Sequence, residues 1–148
     1  MQKLNIEDAV FEVSILAFNK PARATLLFCG EETARKVCEG VANEWNLTLS
    51  EIQLSQYVNR DLALPLDIGR IVRSSSSGLL CLSGMETANI DIISSVQGIY
   101  CDRILRDQGS SEEIPADWMF IAACDAFESN PLLRNELFLS QFWKYGIE

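Results

Sequence analysis

The chain has 148 residues, of which 48% are hydrophobic and 22% charged, so a folded domain is expected and a disordered chain is excluded. It contains no histidine, which excludes Ser-His-Asp and Cys-His catalysis, histidine proton shuttles and His-containing zinc sites. The net charge of −9 is uneven, with 8 basic and 10 acidic side chains in residues 1–74 against 4 and 11 in residues 75–148; such a surface repels phosphate backbones and anionic lipid, so the partners expected are proteins.

Asn5 reads as a helix cap, and Ile6, Ala9, Val10, Val13, Leu16 and Ala17 then recur at helical spacing until Asn19-Lys20-Pro21. Ala24 to Cys29 is short, almost wholly apolar and ends at Gly30, as a strand buried on both faces of a parallel sheet would. A second helix follows, with Ala34, Val37, Cys38, Val41, Ala42 and Trp45 on one stripe. Lys36 on that helix is expected to pair with Glu32 or Glu39. Leu47 to Leu54 is compatible with a strand or part of one. Ser74-Ser75-Ser76-Ser77-Gly78 reads as a loop, and Leu79 to Leu82 as a second buried strand stopping at Ser83-Gly84. Asn89 caps a helix in which Ile93, Val96, Tyr100 and Ile104 line up, and Gln108 to Pro115 is a polar loop. Trp118 to Cys124 is a third buried strand, and Leu133, Leu137 and Phe142 mark a last helix. Strand and helix alternate, so the class is α/β with a mainly parallel sheet, expected as a single domain over residues 1–148.

The N-terminal eight residues hold no apolar core of a secretory signal, and no apolar run approaches the roughly 20 residues of a membrane span. The five cysteines form no CxxC pair, and Cys29, Cys81 and Cys124 lie inside apolar runs. They read as reduced core thiols of an intracellular protein, cytoplasmic or nuclear.

Ligands of such sheets bind beyond the carboxyl ends of the strands. After the first strand comes Gly30-Glu31-Glu32-Thr33-Ala34-Arg35-Lys36-Val37. Against the phosphate-loop pattern GxxxxGK[ST], only Gly30 and Lys36 match. Arg35 stands where a glycine would let the backbone approach phosphate, and Val37 lacks the hydroxyl that would hold magnesium. Glu31 and Glu32 place negative charge where phosphate would lie. The second strand ends in Ser83-Gly84 where an ATPase carries a magnesium-supporting Asp and a water-polarising Glu; Glu86 is the nearest acid.

In order and spacing these segments resemble the nucleotide-binding core of AAA+ ATPases, closest to the branch with minichromosome-maintenance helicases, magnesium-chelatase subunits and MoxR-type proteins. The resemblance runs through nearly the whole chain and implies a three-layer, P-loop NTPase-like sheet of about five strands. Residues 5–20 resemble the helix before the phosphate loop, and Leu26 to Ala42 the strand, loop and helix around it. Ile71-Val72-Arg73 and Gly78 to Leu82 resemble the approach to the magnesium-binding strand. Residues 89–107 resemble the helix that follows, and 108–117 the place of a hairpin insert. Ala116 to Asp125 resembles the strand bearing the first sensor residue, here Asp125 for a usual Asn. Leu132 to Phe142 resembles the segment with a trans-acting arginine, here Gln141.

Arg35, Val37, Ser83, Gly84, Asp125 and Gln141 all depart from the family's requirements, and the chain stops near the point where the family's helical lid would begin. The resemblance therefore implies a degenerate nucleotide site at Gly30, Arg35, Lys36, Val37, Ser83, Gly84, Asp125 and Gln141. It implies no hydrolysis, no cofactor and no metal. The expected role is a protein-interaction or regulatory subunit beside an active AAA+ ATPase. Phe138, Phe142, Trp143 and Tyr145 are the candidate partner surface, because this stretch is more apolar than one helix face requires. The alternative is an enzymatic or nucleotide-binding α/β domain, flavodoxin-like or receiver-like included, with its site at Gly30, Lys36, Glu86 and Asp125. A structural binding module of unrelated fold is the third reading.

Overall fold

Three apolar runs form the middle of a parallel sheet, and their burial on both faces fixes the three-layer architecture. The structure, a computed structural model, describes residues 3–107, 109–125 and 136–148. In chain order the elements are β1 (Lys3–Leu4), α1 (Ile6–Leu16), β2 (Thr25–Phe28), α2 (Glu31–Trp45), β3 (Leu49–Gln53), α3 (Ala63–Arg73) and β4 (Gly78–Ser83). There follow α4 (Ile90–Val96), β5 (Ile104–Asp107), β6 (Ser110–Glu113), β7 (Trp118–Ala123), α5 (Glu136–Leu139) and β8 (Trp143–Ile147).

The main sheet has six strands in the order β1-β8-β2-β7-β4-β3, and every pair is parallel. A flavodoxin-like sheet places its first strand beside its second and third. Here β2 lies between β7 and β8 while β3 is at the edge, so the flavodoxin-like and receiver-like alternatives do not describe this chain.

Adjacent side chains along each central strand point to opposite layers. Leu26, Leu80, Leu82, Phe120 and Ala122 pack with Leu64, Ile68 and Val72 of α3 and Ile92, Ile93 and Val96 of α4. Leu27, Leu79, Cys81, Ile121 and Ala123 pack with Ala9 and Val13 of α1 and Ala34, Val37, Cys38 and Val41 of α2. Both faces of the sheet are thus sealed by helices, which is why the strands carry almost no polar residue. Two buried side chains on the α3–α4 side are anchored to backbone carbonyls. The buried Tyr100 hydroxyl donates to the Leu80 and Ile121 carbonyls at 2.9 and 3.2 Å. The buried Trp118 Nε1–H donates to the Ser75 carbonyl at 2.9 Å.

Several expectations need correction. The helix expected over residues 89–107 is capped by Asn89, whose side chain accepts from the Ile92 N–H at 2.9 Å, but it ends at Val96. A wider turn over Gln97–Cys101 buries Tyr100, and Ile104 belongs to β5, paired antiparallel with β6. The polar stretch after Gln108 is therefore half of a hairpin, with Gly109 at φ +86° in its tip. Helix α3 carries no sequence expectation. Of the last expected helix, Leu133 lies outside the described residues, Leu137 stands on the four-residue α5, and Phe142 follows it in a turn. Beyond it Trp143–Ile147 forms β8, which pairs with β2 and with β1.

Candidate functional site

The carboxyl ends of β2, β4 and β7 meet as the alternation of strand and helix demands. Gly30 is the cap residue of α2, with φ −74° and ψ 170°, and Glu31 is the first residue of the helix. No loop separates strand from helix. Residues 31–36, which in a phosphate loop would wrap the anion with peptide N–H groups, are wound into the first turns of α2. The Ala34 N–H already donates to the Gly30 carbonyl at 3.0 Å. Six residues of helical rise carry Lys36 about 9 Å along the axis from Gly30. Glu31 and Glu32 stand in the first turn, where they favour the helix dipole and disfavour an incoming anion.

Around Gly30 the expected rim residues do converge. A Cβ added to Gly30 would stand 3.5 Å from Asp125 Oδ2. The Asp125 N–H donates to Glu86 Oε1 at 3.0 Å. Glu86 reaches it from a short 3-10 turn over Met85–Thr87, launched by Gly84 at φ +82°. The Thr87 hydroxyl closes that turn on the Gly84 carbonyl at 2.7 Å. A left-handed φ at this point is readily adopted only by glycine.

Ser83 is buried beside these residues. It lines a cavity of about 200 Å³ with Glu31, Arg35, Glu51, Gln53, Gln56 and Cys81. A polar network spans this cavity. Arg35 Nε donates to Glu51 Oε1 at 3.1 Å and its Nη2 to Glu31 Oε1 at 3.3 Å. Gln53 Nε2 donates to the same Glu31 oxygen, and Gln56 Nε2 donates to Gln53 Oε1 at 3.4 Å. The hydrogen bond from Arg35 to Glu51, reinforced by the charge of Glu51, pushes the guanidinium pKa above its ordinary value. Arg35 is thus engaged with two carboxylates.

The thiols below the rim are poor nucleophiles. Burial pushes Cys29 up to about 12, with Cys81 and Asp125 adding to the effect. Burial likewise lifts Cys124 to about 12, with Glu86 and Asp125 contributing. Cys38 is raised well above its usual value by its hydrogen bond with Cys81 and then by burial. Thiolate, the reactive form, is disfavoured at each of these positions. Among the described residues no group of three or more Cys, Asp and Glu side chains is placed to hold a metal ion.

Not every expected site residue joins the rim. Val37 is fully buried against the sheet. Lys36 is exposed, and among the described residues it pairs with neither Glu32 nor Glu39. Gln141 lies just before β8, near the start of β2 and hence at the opposite end of the sheet; its Nε2 donates to the Leu137 carbonyl at 3.1 Å. The candidate partner surface also divides. Phe138 and Phe142 are only 3% and 2% exposed and meet edge-to-face at 5.1 Å, so they are core. Tyr145 is half-buried in β8, and Trp143 is 45% exposed with the Arg23 guanidinium 5.2 Å from its ring. Sequence reasoning missed the partners of Arg35. Gln53 stands at the carboxyl end of β3, where a firm strand assignment would have singled it out.

No protein-family model and no curated protein sequence matches the chain. Solved structures do. A point mutant of Thermotoga maritima RuvB superposes with a TM-score of 0.64 at 12% identity, over 98% of this chain and 46% of that one. A DNA polymerase III gamma subunit-related protein of the same organism gives 0.60 at 9% identity, over 95% and 46%. The chain thus has an AAA+-like α/β fold and spans less than half the length of these neighbours. At such identities the likeness is one of fold alone. Among the described residues no helix is long and apolar enough to cross a membrane.

Proposed function

We propose that this chain is a catalytically inactive AAA+-like module that acts through protein contacts, as an interaction or regulatory subunit beside active ATPases of related fold. One observation carries the reading: α2 begins at Glu31, directly after Gly30, so a helical turn bearing two carboxylates occupies the place of a phosphate loop. The rest of the rim agrees with it. Arg35 is held by Glu31 and Glu51, and Ser83 offers no carboxylate. In hydrolytic relatives of this architecture a magnesium site, a water-orienting residue and an arginine supplied in trans share the barrier, and the arginine alone is worth about 10³–10⁵ in rate. The described residues of the rim offer none of these groups and so no route to turnover.

The approach of the Asp125 carboxylate to Gly30, with Glu86 holding the Asp125 N–H, favours one second reading, a binding site for a small ligand at the strand ends. Turnover tests the inactive reading directly. Pure protein incubated with Mg-ATP should release no phosphate above a buffer blank, and Lys36→Ala should leave that result unchanged. Phosphate release that Lys36→Ala abolishes would return the chain to the enzymes.

A further inference from the structure

Helix α1 is apolar on two faces, and only one of them is covered. Ala9 and Val13 are sealed in the core, with Ile6 and Val10 partly buried against it. On the outer side Phe11 and Ile15 of α1 are 64% and 43% exposed, and Phe18, in the turn that follows the helix, is 75% exposed. Together they form a continuous stripe, unlike the scattered apolar residues that any surface carries.

The stripe borders a groove of about 720 Å³, whose walls include Val10, Ser14, Glu7 on α1 and Glu44 and Trp45 on α2. Its aromatic side is fixed in place. Trp45 Nε1–H donates to the Ser14 carbonyl at 2.9 Å, and Phe18 meets the Trp45 ring edge-on at 5.1 Å. Rigid aromatic anchors of this kind dominate binding energetics at protein interfaces.

Charge selects the occupant. Residues 5–18 carry Glu7, Asp8 and Glu12 and no base, and residues 38–45 carry Glu39 and Glu44 and no base. The nearby Lys20 ammonium is already taken by Asp117 at 2.6 Å. A second copy would bring the same acids face to face, and a chain of net charge −9 has little to offer itself or an anionic membrane.

We propose that the α1–α2 groove receives a basic amphipathic helix from a partner protein, with apolar anchors at i, i+3 or i+4, and i+7 seated against Phe11, Ile15 and Phe18. This is the helix-in-groove mode of recognition, with the rim charges setting specificity and on-rate. It gives the interaction role proposed above a surface and a partner chemistry, and in that sense rests on it. The groove, along α1 and the C-terminal end of α2, and the nucleotide rim, at the N-terminal end of α2, are tested separately.

The probe is a fluorescein-labelled 15-residue peptide, helical by design, with Leu on one stripe and Lys elsewhere. Its twin has Glu in place of every Lys. Anisotropy at physiological salt should give micromolar binding for the Lys peptide and at least tenfold weaker binding for the Glu peptide. The double variant Phe11→Ser/Ile15→Ser keeps every charge and changes only exposed side chains, so it should fold as the parent does and bind at least tenfold more weakly. Glu7→Lys/Glu44→Lys should reverse the preference between the two peptides. Equal binding of the Lys peptide by the parent and the double Ser variant would overturn the proposal, because attraction would then be charge alone. No binding at all, a dimer in sedimentation that the double Ser variant abolishes, or retention on neutral or anionic vesicles would each overturn it as well. Because none of these readouts involves ATP, their failure would leave the inactive-rim reading standing.

Discussion

The carboxyl rim of the sheet and the outer face of α1 are built to opposite rules. At the rim, in the position where this fold offers a ligand site, the polar side chains satisfy one another. Arg35 joins Glu31 to Glu51, Gln53 and Gln56 extend the chain, and Glu86 holds the Asp125 N–H. Along α1 and the turn after it Phe11, Ile15 and Phe18 stand largely open, Phe18 touching only the edge of the stripe at Trp45. A closed polar rim has little left to give a triphosphate, whereas an open aromatic stripe gains by being covered. On this contrast the proposed interaction falls on the helices, and the strand ends serve as scaffold.

The contrast can be broken most forcefully through what the two regions share. Trp118→Ala removes a ring that is 2% exposed and anchored to Ser75 under the α3–α4 layer. It should cost about 3–5 kcal/mol in denaturant unfolding and weaken both regions together. A loss under about 1 kcal/mol would show that the sheet is not their common support. Gly78→Ala attacks the same place from the other strand, because its Cβ would fall 2.5 Å from Trp118 Cη2. The expected loss is about 1–3 kcal/mol.

Alkali should act on the rim before the groove. Cys29 and Cys124 stand near 12 in the folded chain against an ordinary 9.0, so unfolded chains lose these protons first. Stability should therefore be level below pH 9 and decline between pH 9 and 12. Urea midpoints measured across that window check it, and thiol-directed reagents at pH 8 should find both residues protected until the chain unfolds. The groove, without a cysteine in its lining, should keep its peptide affinity up to the onset of that decline.

Smaller changes sharpen the comparison. Arg35→Ala removes two ion pairs whose members are about half exposed, and such solvent-screened pairs add little to stability. The urea midpoint should fall only slightly, the more so at low salt, with no change in peptide affinity. Gly30→Ser is the mildest. The backbone there is extended, a Cβ fits 3.5 Å from Asp125, and serine caps helices better than glycine does. A gain of a few tenths of a kcal/mol in unfolding free energy is expected, and a loss above about 1 kcal/mol would mean that the backbone at Gly30 needs glycine after all.

How much of this was legible in the sequence follows from burial. Ala24 to Cys29, Leu79 to Leu82 and Trp118 to Cys124 are covered on both faces, so their composition alone declares them strands. The first two helices were equally plain, because each buries a stripe at helical spacing. The edges of the fold were hidden. Helix α3 carries Pro65 and Gly69, which read as interruptions, although Pro65 falls in the first turn where proline is tolerated. Strand β8 reads Trp-Lys-Tyr-Gly-Ile, and only its last two residues are buried, so its aromatics resembled a docking surface. At the site, the strand-end rule brought Gly30, Ser83, Gly84, Glu86 and Asp125 to one rim. The helix after Gly30 was legible too, from the stripe of Ala34, Val37 and Cys38; the rule could not foresee that Arg35 would be held by Glu31 and by Glu51, which reaches it from β3. Nor did the sequence reading weigh Phe11 and Phe18, whose exposure only the fold reveals.

The central claim is that a helical turn stands where a triphosphate would be gripped. Thermal unfolding with and without saturating Mg-ATP tests it most directly. A ligand at about 100 times its dissociation constant would stabilise the native state by roughly 2.7 kcal/mol, several degrees for a domain of this size. The account predicts superimposable melting curves; an upward shift of several degrees, lost on adding charge-neutralising substitutions at neither groove residue but on altering Gly30 or Lys36, would contradict it.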